Sequence, residues 1–406
     1  MQKKRILEVN SVYEVGSTGR IVNQLCNRLK KAGNDYYVLY GRGPVSNDPN
    51  SYKIGNIFTV IKNVLVTRIF DIHGLSSKHI TKQVVKKIDK FNPDLIHLHN
   101  LHGYYIDVEV LFKYIKYRNI PVIWTLHDAW AITGHCACFF DCVKWKSGCI
   151  KCQYKTTYPK SIIIDNCYNN WNNKKGIFSN VNKLTIVTPS NWLAEKVRDS
   201  YLKDYNVSII NNGIDNSIFF RKRNLLKDRM NLNNKFIILA VANVWNKEKG
   251  YEDILELSKI INDDYTIVMI GLNPKQLVNL PDNVIGIERT NNSYELAEYY
   301  NMADVFINLT YADNYPTTNL EARACGIPVI TYNAGGSSES AGENGIIVQI
   351  GDYKEVYKEI INLKNEHNSK ENMTSTNIDD ISNKKMLDKY MNLIDNILDD
   401  IEEEPC

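Results

Sequence analysis

Residues 236–271 read FIILAVANVWNKEKGYEDILELSKIINDDYTIVMIG. Two apolar runs, FIILAVAN (236–243) and YTIVMIG (265–271), flank a stretch with helical spacing from about Lys249 to Asn262. Short runs without polar interruption read as strands buried on both faces. Strand, helix, strand in this order is the unit of a parallel sheet covered by helices.

The same grammar extends in both directions. Upstream stand ILEVN (6–10), YYVLY (36–40), DLIHLHN (94–100), IPVIWTLHD (120–128) and LTIVTPS (184–190), with helix-period segments between most of them. Downstream stand ADVFINL (303–309) and IPVITYN (327–333). Between the halves, IINNGIDNSIFF (209–220) carries the Asn and Gly turn formers of a linker. A chain of 406 residues exceeds one ordinary core and suits two domains of about 200 residues each. The expected class is α/β, with two Rossmann-like, doubly wound domains facing a central cleft. Their expected bounds are 1–207, with a Cys-rich insertion at 135–152, and 208–375. A C-terminal helix in 376–406, running from Lys384 to about Glu402, packs back on the first domain, and Lys364–Lys385 reads as a polar loop. Small charged ligands bind at the carboxyl ends of strands in such sheets.

Composition narrows the function. With 44% hydrophobic and 23% charged residues the chain is globular rather than disordered. A net charge of +3 gives no reason to expect a nucleic-acid partner. The start, MQKKRILEVNS, lacks the apolar region and small-residue cleavage site of a signal peptide, and no run of about 18 apolar residues occurs. The expected place is the cytoplasm, where nine cysteines would be reduced.

A second stretch carries the chemistry. Ala312–Ile330 reads ADNYPTTNLEARACGIPVI. Pro316 suits a helix start, and Gly326 ends the helix after Cys325. The main-chain N–H groups of Thr317, Thr318 and Asn319 then lack helical partners and attract an anion, above all phosphate. Glu321 lies one turn past Thr317 on the same face, where its carboxylate fits a vicinal diol such as a ribose. Asp313 precedes the helix and reaches hydroxyls on the other side. Ribose, pyrophosphate and hexose follow one another in this order in a nucleotide sugar. A capped, half-exposed helix with two solvated acids is the plain alternative.

This run, followed by TYNAGGSSES (331–340), resembles the donor site of retaining glycosyltransferases of family four, which have the GT-B fold of two Rossmann-like domains. Asp313 stands where that family usually has Glu. The form DN-x-PTTNLEA is similar to a bacterial surface-polysaccharide subgroup. VTPSNWLAEKV (187–197) and IINNGID (209–215) resemble the end of the family's first domain and its linker turn. VANVWNKEKGYEDILEL (241–257) resembles the segment that supplies cations to the diphosphate. Here Asn243 is near the usual arginine position, which leaves Lys249, with Lys247, to supply the charge. The resemblance implies transfer of a sugar from a nucleotide-diphosphate donor to a hydroxyl of a saccharide, lipid-linked, in surface polysaccharide synthesis. No Asp-x-Asp motif occurs, so no metal and no cofactor is expected in catalysis. A nucleotide-sugar 2-epimerase on the same architecture and a non-catalytic sugar-nucleotide-binding scaffold are the rival functions.

In the first half, VGSTGR (15–20) places Gly16 and Gly19 where a backbone can come close to a ligand, and it is not the dinucleotide fingerprint. The resemblance puts this loop over the diphosphate or toward the acceptor; a plain strand-to-helix turn is the other reading. His127 ends its strand at the carboxyl edge, and the resemblance places it near the transferred sugar, donating to a hydroxyl or a phosphate. His97, His99 and His102 have no acid or cysteine at ligand spacing beside them, so packing or acceptor contact is expected. The segment HCACFFDCVKWKSGCIKC (135–152) holds a C-x2-C knuckle, Cys149 and Cys152. Cys136 and Cys142 would complete a zinc tetrahedron, with Cys138 or His135 as substitutes. Structural zinc, disulfides and free thiols are all open. Finally, IFTVIKNVLVTRIF (57–70) reads first as a buried helix. The alternative lays it on the inner face of the cytoplasmic membrane, where a lipid-linked acceptor would approach.

Overall fold

The computed structural model describes residues 3–223, 225–367 and 378–403. Packing divides the chain into two compact units, Met1–Ile210 with Leu387–Cys406, and Asn211–Met386.

The first unit is built on seven parallel strands: β1 (Arg5–Val12), β2 (Asp35–Arg42), β3 (Ser51–Lys53), β4 (Leu95–Leu98), β5 (Val122–Thr125), β6 (Leu184–Thr188) and β7 (Asn206–Ile209). Their order is β3-β2-β1-β4-β5-β6-β7. The second unit has six parallel strands: β8 (Phe236–Val241), β9 (Tyr265–Ile270), β10 (Val284–Ile287), β11 (Val305–Asn308), β12 (Val329–Tyr332) and β13 (Ile346–Val348). Their order is β10-β9-β8-β11-β12-β13. Both sheets are doubly wound, and the winding reverses between β1 and β4 in one and between β8 and β11 in the other.

Central strands are buried on both faces because helices cover both. In β8, Ile238 packs on one side with Ile254 and Leu257, while Ile237 and Leu239 face the core that holds Tyr300 and Leu320. Every strand read from the sequence is present. The additional ones, β3, β7, β10 and β13, are the outermost strands of the two sheets.

Three expectations need correction. GSTG is not a loop, since Gly16 opens the helix Gly16–Lys31 and Val15 is its extended N-cap. The stretch Lys364–Lys385 is not all loop. The helix Tyr353–His367 takes in its start, a 3-10 turn spans Ile378–Ile381, and the last helix, Asn383–Glu403, takes in its end. Residues 368–377 lie outside the described residues. That last helix buries Tyr390 and Ile394 and ties to the first unit through Lys4–Asp395 (3.0 Å) and Arg28–Asp388 (2.7 Å).

The third correction concerns the helix Ile57–Phe70, which is not a buried apolar helix. Its buried residues are polar, Asn63 and Thr67, and Asn63 donates to Tyr104 O at 2.8 Å. Ile57, Phe58, Ile61, Leu65 and Phe70 are exposed, and the neighbouring Ile162, Ile163 and Ile164 extend this apolar surface. Among the described residues no helix is long and apolar enough to cross a membrane.

Candidate functional site

In the second unit the sequence-derived residues meet where the winding reverses. The turn after β8 and the loop after β11 leave neighbouring strands at their carboxyl ends. They are locked together: Tyr311 N donates to Glu248 O at 2.8 Å and Thr310 Oγ1 to the same carbonyl at 3.2 Å. Gly250, at φ 73°, makes this approach feasible, since a Cβ there would lie 2.1 Å from Leu309 O. The 3-10 turn Lys247–Lys249 is capped by the Asn246 side chain, which accepts from Lys249 N at 3.0 Å. Lys249 is thereby aimed at Asp313, and Nζ to Oδ2 is 2.6 Å. Lys247 in the same turn is exposed.

Asp313 is fixed from behind. Gly336 N donates to its carbonyl at 2.9 Å, and Gly335, at φ 62°, leaves room that a Cβ 2.0 Å from that carbonyl would take. The glycine pair after β12 is thus the support of the acid before the helix Thr317–Ala324. Pro316 is the N-cap of that helix, with φ −64° and ψ 123°. Thr317 and Thr318 are half-exposed at its start. The Asn319 side chain is buried: it accepts from Asn308 Nδ2 (2.9 Å) and donates to Ser340 Oγ (2.8 Å). It therefore anchors the helix, and only its main-chain N–H is left for a ligand. Glu321 is half-buried, and Tyr300 O–H donates to its Oε2 at 2.9 Å. Tyr300 is fully buried, so this bond sets the rotamer of the carboxylate. The arrangement is a lysine, a helix start and two oriented carboxylates, which together can take a diphosphate and sugar hydroxyls.

The first unit holds a group that spacing alone does not reveal. Glu8, on β1, is fully buried between His97 of β4 and His99 just past the end of that strand. His97 Nδ1 lies 3.2 Å from Glu8 Oε1 and His99 Nε2 lies 2.9 Å from Oε2. The chain continues in both directions. His97 Nε2 is 2.8 Å from Thr125 Oγ1, which is 3.1 Å from Tyr390 O–H on the last helix. His99 Nδ1 is 3.0 Å from His127 Nε2. Glu8, His97 and His99 are also close enough to share one metal ion.

Electrostatics fixes the polarity of this chain. Burial raises the Glu8 carboxyl, but the imidazoles of His97 and His99 overcome it and hold it down to about 2. Burial, with His97 beside it, pushes His99 down to about 4, so His99 is neutral at pH 7. Burial and the neighbouring histidines also push His127 well below the usual range. A neutral His99 that donates Nε2–H to Glu8 has a lone pair on Nδ1. His127 must donate Nε2–H to it, so His127 Nδ1 carries a lone pair. This tautomer presents His127 Nδ1 as an acceptor. His102 is apart from this group, on Asp128 at 2.6 Å and Tyr158 at 3.1 Å. Gly16 and Gly19 lie in the first turn of the helix Gly16–Lys31; a Cβ at Gly16 would meet open space, and one at Gly19 would press on Val12 at 3.2 Å.

Of the cysteines, Cys136 Sγ and Cys152 Sγ are 3.7 Å apart. Cys149 Sγ accepts from Gly134 N at 3.1 Å. A further cysteine, Cys167, which heads the helix Cys167–Phe178, hydrogen-bonds to Cys152. It lies outside the segment that the sequence marks. Glu8 and Tyr390 were equally hidden, since a buried acid on β1 and a tyrosine on the last helix join the histidines only through the tertiary fold. The alternation Glu8–Asn10, which sets two polar residues into the apolar run ILEVN, was the one signal available.

Two family models match the chain: Glycosyltransferase Family 4 over residues 18–217 and Glycosyl transferases group 1 over residues 222–379. The protein of Escherichia coli (strain K12) that carries the name colanic acid biosynthesis glycosyl transferase WcaC is 25% identical over 356 residues, covering 84% of this chain and 86% of its own. The capsular polysaccharide biosynthesis glycosyltransferase CapM of Staphylococcus aureus is 29% identical over 216 residues, covering 46% of this chain and 53% of its own. Among solved structures, Anabaena Alr3699/HepE in complex with UDP-glucose superposes with a TM-score of 0.66 at 12% identity, over 97% of this chain and 99% of that one.

Proposed function

The chain belongs to glycosyltransferase family four, with two Rossmann-like units of the GT-B kind, and we propose that it transfers a sugar from a nucleotide-diphosphate sugar to a saccharide hydroxyl with retained anomeric configuration. The acceptor in this reading is a lipid-linked glycan of a surface polysaccharide, in line with the names its relatives carry. One observation carries the donor assignment: Lys249 and Asp313 are in contact at 2.6 Å beside the start of the helix Thr317–Ala324.

The roles follow from charge. Main-chain amides of Thr317, Thr318 and Asn319, with Lys249 and Lys247, take the diphosphate and stabilise it as it leaves. Glu321 accepts from ribose hydroxyls with its rotamer set by Tyr300. Asp313 holds the hexose. Its ion pair with Lys249 is half-exposed and costs about 0–1 kcal/mol to open, so the donor can insert there. His127 accepts from a sugar hydroxyl through Nδ1, and Gly16, with open space before it, gives a ligand close access to backbone, while Gly19 lets the helix start pack on β1. With amides and lysines on the diphosphate, the reaction needs no bound metal. The apolar outer face of the helix Ile57–Phe70, with Lys62 and Arg68 beside it, supports peripheral contact with an anionic membrane surface.

The test is product analysis with a panel of nucleotide sugars and a lipid-linked saccharide acceptor. A free nucleoside diphosphate together with an α- or β-glycoside of the donor's own configuration is expected. A rearranged nucleotide sugar, or donor binding without turnover on any acceptor, would overturn the reading.

A further inference from the structure

Between β5 and β6 the chain runs from Leu126 to Asn166 with only the 3-10 turn Lys144–Lys146 as regular structure. Loops of more than about 15 residues without structure of their own are uncommon in compact domains and need something to hold them. This one is well buried: Trp130, Phe139 and Trp145 enter the core of the unit. Its backbone also takes left-handed conformations at Phe140, Cys149 and Lys151, with φ of 48°, 50° and 54°. Such geometry persists only where the surroundings impose it.

The cysteines are at the centre of this segment. Cys136 Sγ and Cys152 Sγ stand 3.7 Å apart, which is too long for a disulfide of about 2.05 Å and close to the spacing of about 3.8 Å between sulfurs on one zinc ion. Cys142 and Cys149 are both partly buried against the core of the same unit. Main-chain N–H groups point at sulfur, Gly134 at Cys149 and Tyr154 at Cys152, as they do where thiolates are stabilised. Carboxylates hold the surrounding backbone. Asp165 accepts from Cys152 N (2.7 Å) and from Cys167 N (3.1 Å), and Asp71 binds His135 Nδ1 and Asn166 N. His135 is buried, and its Nε2 has no hydrogen-bond partner, so a donor atom inside the cluster region is unsatisfied.

We infer that this segment is closed by a structural zinc ion on the thiolates of Cys136, Cys142, Cys149 and Cys152. Four thiolates leave no open position, so the metal folds the loop and takes no part in sugar transfer. Among the described residues no three of these sulfurs lie within 4.8 Å of one another. Binding therefore requires side-chain rotation, and a sulfur sweeps about 3 Å between staggered χ1 positions. Cys167 and Cys138 remain outside the ligand set.

The experiment is metal analysis of the full chain purified without added metal or chelator. About one zinc per chain is expected, released by a mercurial thiol reagent and counted with a colorimetric chelator. Cys142→Ser and Cys152→Ser should lose it, while Cys138→Ser and Cys167→Ser keep it. Absence of zinc from the parent protein, disulfides among these residues in non-reducing peptide mass spectrometry, or full zinc in Cys142→Ser would overturn the inference. The parent measurement decides even where a variant fails to fold.

Discussion

Replacing Glu8 by alanine removes the one acid that two buried imidazoles share. His97 Nδ1 and His99 Nε2 then lose their acceptor in a site with no exposure to solvent. Leaving a buried donor without its acceptor costs about 1–3 kcal/mol, so the two together cost about 2–6 kcal/mol. The pH dependence gives an independent figure. The carboxyl moves from an ordinary 4.5 to about 2, which corresponds to about 3 kcal/mol of folding stability. The sign follows from the depressed value: this stability is full above pH 4.5 and is lost as pH falls toward 2. His99, depressed from 6.5 to about 4, acts in the same direction at higher pH, with stability full above 6.5 and lost toward 4. Urea denaturation followed by tryptophan fluorescence isolates the effect, since Trp245 alone of the six tryptophans lies outside the first unit. With a urea slope of about 2 kcal/mol per M, the midpoint of Glu8→Ala at pH 7 should fall by about 2 M. Glu8→Gln keeps the shape and one acceptor, so it should lose about half as much and should flatten the acid limb between pH 4.5 and 2. A midpoint within about 0.3 M of the parent for Glu8→Ala, or an unchanged acid limb in Glu8→Gln, would refute the buried-acceptor argument.

Four further outcomes are expected. Glu321→Ala removes two charge-assisted bonds to ribose and should raise the donor KM about 10- to 100-fold with a smaller change in kcat, read from initial rates. Asp313→Ala should instead lower kcat, because the hexose is no longer oriented. Gly335→Ala puts a Cβ against the Asp313 carbonyl and should abolish donor stabilisation in a thermal-shift assay while leaving the tryptophan-detected transition of the first unit in place. Phe58→Ser with Leu65→Ser should weaken sedimentation with anionic vesicles at least tenfold and leave stability unchanged, as both side chains are exposed.

The strands that can be read from the sequence are those that are buried on both faces. FIILAVAN and YTIVMIG are unbroken apolar runs because helices cover them twice. The outermost strands have no such signature. Asn206–Ile209 is NVSI and half-exposed, Val284–Ile287 contains a glycine, and Ser51–Lys53 and Ile346–Val348 span three residues each. The residues of the proposed donor site can be picked out locally, because a short loop and one helix carry most of them. The histidine chain cannot. His97 and His99 are two apart in sequence, but their partner Glu8 comes from the neighbouring strand, through the register Glu8–His97. Tyr390 comes from the far end of the chain. The helix Ile57–Phe70 misled for a further reason: apolar residues all around it suggested burial, whereas the fold buries two of its polar side chains, Asn63 and Thr67, and leaves most of the apolar ones exposed.

The most direct test of the central claim is a crystal structure of the chain with a nucleoside diphosphate that stabilises it. The account expects the phosphates on the amides of Thr317–Asn319 beside Lys249, with both ribose hydroxyls on Glu321. A nucleotide bound elsewhere, with no ribose hydroxyl on Glu321, would contradict it.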